Sequence, residues 1–141
     1  VLGQTSERQG ATLNVYSHRD LSVWQKSMRL AKEAYRLTKA LPKSEEYRLT
    51  SQLLRATASV PTNIAEGHAR GTRKDYAHFV SIARGSLAET ETILILLVEV
   101  ELLTTERVEA ALGLCSEVGR MLNRFHARLR APETQSLKPN P

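Results

Sequence analysis

The stretch Leu49–Arg70 reads LTSQLLRATASVPTNIAEGHAR, and its reading decides the fold. Leu49, Leu53, Ala56, Val60 and Ile64 return every three or four residues, the period of one buried helix face. Pro61 stands inside that pattern. A proline in a helix interior costs roughly 3 kcal/mol, because it has no N–H to donate and its ring meets the carbonyl four residues back. Two readings follow: one helix bent at Pro61, or a helix that ends before Pro61 and restarts with proline in a first turn. Opposite Leu49 and Leu53, the residues Gln52, Arg55, Ser59, Asn63, Glu66 and Arg70 recur at steps of three, four, four, three and four. They form one polar face among the small residues Ala56, Ala58, Ala65 and Gly67, which let a backbone or ligand approach closely. A bend at Pro61 is expected to splay the C-terminal half of this ladder from its neighbour and open a cleft.

Outward from this segment the chain reads as helix on both sides. Upstream, Trp24, Met28, Ala31, Tyr35 and Thr38, widened by Leu30, Ala34, Leu37 and Leu41, predict a core-facing helix over about 22–40. Pro42 helps end it, and Ser44 is expected to cap the second helix, with Glu45 and Glu46 in its first turn. Downstream, Gly71 suits the left-handed position past a helix end, and Thr72 with Asp75 resembles a capping box. A third helix is expected over about 73–103. Thr104 or Thr105 caps a fourth, with Ala111, Leu114, Val118, Leu122, Phe125 and Leu129 on its buried face. Short links make consecutive helices antiparallel neighbours, so the expected fold is all-α, an up-down-up-down four-helix bundle over 20–130. Residues 1–19 and 131–141 show no period and are expected to be flexible.

The third helix carries a second message. Ile93, Leu94, Ile95, Leu96, Leu97 and Val98 are consecutive, so this helix is apolar on several sides. Such a helix needs cover on several sides, either from another subunit or from a terminal tail. The expectation is a homo-oligomer with these six residues in its interface.

Composition narrows the function classes. The chain of 141 residues is 41% hydrophobic and 25% charged, ordinary for one soluble domain. The longest apolar run is far too short to span a bilayer, and the first twenty residues hold no apolar core of signal-peptide length. A cytoplasmic protein without membrane contact is the expectation. Cys115 is the single cysteine, so no intrachain disulfide forms. Its place on the fourth helix is that of a small buried hydrophobe. The histidines His18, His68, His78 and His126 are dispersed and no Glu-x-x-His is present, which argues against a bundle metal centre. No metal, no cofactor and no catalytic residue are expected, and no nucleophile–base pair is evident.

The net charge of +5 makes a polyanion a candidate partner. On the first helix Arg29, Lys32, Arg36, Lys39 and Lys43 repeat at steps of three, four, three and four, a basic stripe. Arg120, Arg124, Arg128 and Arg130 add charge on the fourth. RNA or DNA held through phosphates, independently of sequence, is one reading; a solvated helix face is the other. The polar ladder offers a further alternative. With Glu89 from the segment ARGSLAETE it can form a cleft for a protein partner or small ligand, in which Glu89 pairs with Arg55, and Arg70 or Arg84 with Glu66.

Three segments carry a family resemblance: DLSVWQKSM at Asp20–Met28, LTSQLLRATASVPTNIAEG at Leu49–Gly67, and ARGSLAETET at Ala83–Thr92. Together they resemble the four-helix bundle family named after 23S rRNA intervening sequences. The resemblance implies a ring-like homopentamer and a cleft at Gln52, Arg55, Asn63, Glu66, Gly67 and Glu89. A relative of that family, the accessory protein of diversity-generating retroelements, is a basic pentamer that binds nucleic acid and a reverse transcriptase. The residues here do not assign this chain to that subgroup, and the resemblance implies no general activity.

Overall fold

The computed structural model describes residues 17–132. The expected loose ends fall outside that range except for a few residues at each border. Among the described residues there are four long helices and no strand: α1 Ser22–Thr38, α2 Ser51–Arg70, α3 Arg73–Glu99 and α4 Thr105–Arg130. A 3-10 turn, His18–Asp20, leads into α1. α2 packs against α1 and α3, and α4 against α1 and α3, so the four helices enclose one core.

The helix ends explain themselves locally. Thr72 Oγ1 accepts the Asp75 N–H at 3.1 Å, and Thr104 Oγ1 accepts the Arg107 N–H at 3.2 Å, so both threonines cap as their positions suggest. Gly71 closes α2 at φ 91°, where a Cβ would be strained. The start of α2 differs from expectation. Ser44 does not cap it; Lys43–Glu45 is a 3-10 turn and Glu46–Thr50 a wide π-helical turn in which Arg48 leaves helical dihedrals (φ −119°, ψ −112°). Regular α-helix begins only at Ser51.

The end of α3 also comes early, at Glu99 instead of near Leu103. Glu101 sits at φ 65°, in the left-handed region usually left to glycine. The Leu102 N–H then reaches the Leu97 carbonyl at 2.9 Å and the Glu101 N–H the Val98 carbonyl at 2.9 Å, the two bonds of a Schellman motif. This reversal turns Leu102 and Leu103 back onto the core.

The buried face of α1 is rotated from the expected one. Val23, Ser27, Leu30, Ala34 and Leu37 are buried, whereas Met28 and Tyr35 are 43% and 57% exposed. The large side chains lie on the flank of the core stripe, and small Ser27 takes a central place because its hydroxyl donates to the Trp24 carbonyl at 2.8 Å. Thr57 and Thr90 are buried on the same terms, bonded to the carbonyls of Leu54 and Ser86. On α4, Val108, Ala111, Cys115, Val118 and Leu122 are buried, with Leu114, Phe125 and Leu129 at the margin.

Pro61 is buried within one continuous α2, which excludes the reading of two helices. The C-terminal half of α2 is held tightly against α3. A Cβ on Gly67 would stand 2.7 Å from Tyr76 Cδ1 and 3.1 Å from Phe79 Cβ, so a glycine lets the two helices close. Gly85, by contrast, meets nothing within 4 Å. Gly67→Ala is therefore expected to destabilise by about 1–3 kcal/mol through overpacking. Gly85→Ala is expected to stabilise by about 0.5–1 kcal/mol through helix propensity. Denaturant unfolding of both variants checks the pair; equal effects would contradict the close approach.

Candidate functional site

The polar ladder does assemble a groove, but toward the start of α2. Gln52, Arg55, Ser59 and Thr62 from α2 and Ser86 and Glu89 from α3 line a depression of about 550 Å³. Its floor is a hydroxyl pair: Ser86 Oγ donates to Ser59 Oγ at 2.8 Å. Asn63 Nδ2 donates to the Ser59 carbonyl at 2.8 Å and to Ser59 Oγ at 2.9 Å. The small Ala56 and Ala58 leave the space between them open. The expected splaying beyond Pro61 is not observed, because Gly67 is packed beneath Tyr76 and Phe79 and takes no part in the groove.

The charged members sort differently from expectation as well. Arg55 and Glu89 are exposed on the groove and form no ion pair with each other. Arg70 Nε bonds Glu66 Oε2 at 3.0 Å one turn away, and its guanidinium lies 4.8 Å over the Phe79 ring. Arg84 turns to the other neighbour, donating to Asn123 Oδ1 at 3.0 Å and facing His126 Nδ1 at 3.2 Å on α4. Chemically the groove offers a guanidinium, a carboxylate and two hydroxyls bonded to each other, with no base touching either hydroxyl.

The basic residues gather on a second surface. Arg29, Lys32 and Arg36 are exposed along α1; Lys39 lies just past its end and Lys43 in the following 3-10 turn, so the stripe outlasts the helix that was expected to carry it. Arg36 is shared with Glu33 at 3.2 Å. Lys26 Nζ meets Glu117 Oε2 at 2.6 Å and joins α1 to α4. The hydrogen bond from Lys26 holds the Glu117 carboxyl below the usual range; burial opposes this, while the charges of Lys26, Arg120 and Arg29 reinforce it. Arg124 and Arg128 line a groove of about 470 Å³ with Leu21, Ser22 and Val23 at the start of α1.

The apolar run of α3 divides between two surroundings. Ile93, Leu94 and Leu97 are buried in the protomer's own core and so are not free for a partner, while Val98 is half-buried. Ile95 and Leu96 are 47% and 41% exposed, joined by Ile82 and Val100 as exposed apolar side chains of the α3 segment. Spacing alone did not find the aromatic row that runs from His18 through Trp24 at 5.1 Å, and from His68 through Tyr76 at 5.9 Å to Phe125 at 5.0 Å. Its residues come from five separate elements, the 3-10 turn and all four helices. The buried Tyr76 hydroxyl in this row has no protein partner, and burial pushes its phenol up to about 12.

These contacts separate by double-mutant cycles. Ser59→Ala with Ser86→Ala is expected to show coupling of about 0.5–1 kcal/mol, whereas Arg55→Ala with Glu89→Ala is expected to be additive within about 0.5 kcal/mol. Unfolding free energies of the single and double variants provide the check.

Residues 19–124 match the family model described as 23S rRNA-intervening sequence protein. No curated protein matches the chain. Among solved structures it is similar to a crystal structure of a protein of unknown function from the S23 ribosomal protein family of Bacteroides thetaiotaomicron. The two share 30% identity over 74% of this chain and 97% of that one, with a TM-score of 0.69. A match of that extent, over the helices that build both the groove and the basic face, places this chain in the 23S rRNA-intervening sequence protein family.

Proposed function

We propose that this chain is a non-enzymatic, cytoplasmic scaffold: an antiparallel up-down-up-down bundle that self-associates and binds RNA or DNA through the α1–α4 basic face. The observation that carries the reading is the Lys26–Glu117 bridge. It joins α1 and α4 where Arg29 and Arg120 both act on one carboxylate, so basic residues of the two helices share a surface. Neutralising phosphates from such a surface releases counterions and makes binding strongly salt-dependent. Contacts made through phosphates are independent of base sequence.

Self-association is supported by Ile95 and Leu96 on α3 and Val100 just past its end, which no described residue of the protomer covers. The family resemblance makes a pentamer the expected stoichiometry, and a ring repeats the basic face on each copy. The non-enzymatic reading rests on the groove hydroxyls, which bond to each other and to no base. The second reading is a protein or small-ligand site in the α2–α3 groove, favoured by the open placement of Arg55 and Glu89 on either wall.

The test is binding of the sized oligomer to structured RNA, duplex DNA and single strands across a salt series. Lys32→Glu/Arg36→Glu is expected to weaken binding ~10-fold or more and flatten the salt dependence. Glu117→Gln, which removes the one acid in contact with Lys26, is expected to strengthen binding. Arg55→Ala/Glu89→Ala should leave it unchanged. No binding near physiological salt would reject the scaffold reading and direct attention to the groove.

A further inference from the structure

A third depression lies on the other side of α3, away from both surfaces above. It measures about 750 Å³ and opens between the first turns of α3 and the last turns of α4. Arg73, Lys74 and Arg130 line it together with His78, Ser81 and His126, and no carboxylate does. Three positive side chains around one concavity repel one another, and an anion seated among them relieves that repulsion. The volume falls within the range of small-molecule sites, about 300–1,000 Å³.

His126 supplies the second, independent observation. Arg84 NH1 stands 3.2 Å from His126 Nδ1, and a guanidinium can only donate. Nδ1 is therefore the acceptor and the proton resides on Nε2, leaving an N–H for a guest. Asn123 takes the Arg84 Nε at 3.0 Å and keeps this arrangement in place. Burial, then the charges of Arg84 and Arg130, hold the His126 imidazolium below its usual range. The Arg84 contact at Nδ1 thus selects the neutral ring, with Nε2–H as its donor, in a positive surrounding. Arg73 is partly committed, since its NH2 donates to the Arg128 carbonyl. Lys74 and Arg130 form no ion pair among the described residues.

We propose that this α3–α4 groove binds a phosphate group, with Lys74 and Arg130 supplying charge and the His126 Nε2–H and Ser81 hydroxyl supplying directed hydrogen bonds. The site shares no lining residue with the α1–α4 groove. A bound phosphate adds a negative charge beside His126 and raises its pKa toward the normal value.

The experiment titrates the full chain at constant ionic strength with inorganic phosphate, and separately with a dinucleotide carrying or lacking a 5′-phosphate. Backbone and imidazole NMR shifts report the outcome. Saturable shifts confined to residues 72–81 and 126–131, with an upward move of the His126 titration, are expected. Saturation by inorganic phosphate and by the 5′-phosphorylated dinucleotide identifies a terminal-phosphate site; saturation by both dinucleotides alone identifies a backbone-phosphate site. Lys74→Ala/Arg130→Ala, with its helical fold checked by circular dichroism, should weaken binding about tenfold or more. Lys32→Ala/Arg36→Ala on α1 should leave it intact. Shifts spread over every basic surface, no saturation with any probe, or equal loss in the α1 variant would overturn the proposal.

Discussion

The close approach of α2 and α3 at Gly67 is the contact on which the rest of the molecule depends. With no side chain there, Tyr76 and Phe79 come against the α2 backbone. Tyr76 passes this contact on to Phe125 of α4 and to His68 of α2, so one glycine brings three helices into register. Gly71 and Thr72 complete the turn between α2 and α3, one by accepting a left-handed φ and the other by capping. Further from the turn the same helix pair is held by Ser59 and Ser86, and there the small side chains leave a groove. Packing is tight at one end of the pair and open at the other. That difference, more than any effect of Pro61, decides where a polar site can exist.

Much of this was legible in particular residues. Thr72, Thr104 and Gly71 announce helix ends because a hydroxyl cap and a positive φ are local chemistry. The polar ladder and the burial of Cys115 follow from helical period, and burial alone accounts for most of the rise of that thiol to about 12, with Glu91 adding to it. What period does not carry is the choice between overlapping stripes. On α1 the bulk of Trp24, Met28 and Tyr35 suggests a core, but Ser27 satisfies its own hydroxyl and lets Val23 and Leu30 face inward. The early end of α3 was hidden because Glu101 occupies a position that composition would assign to glycine. Arg84 could not be assigned to α4 from spacing, since its partners Asn123 and His126 lie about forty residues away in sequence.

The fold also sorts the charges. Basic residues of α1 and α4 share a face around Glu117, while the mixed polar groups of α2 and α3 share a groove, and a third cationic concavity lies between α3 and α4. Among the described residues no helix is long and apolar enough to cross a membrane and no cluster of three or more metal-ligating side chains exists.

Native-state hydrogen exchange of the purified protein tests the central claim about α2 and α3 most directly. The account predicts that the slowest amides lie in Leu53–Ile64 of α2 and Val80–Leu94 of α3, opening together only with global unfolding. Gly67→Ala should raise their exchange rates more than those of α4. If instead α4 held the slowest amides while α2 opened locally on both sides of Pro61, the α2–α3 contact would not be what organises this fold.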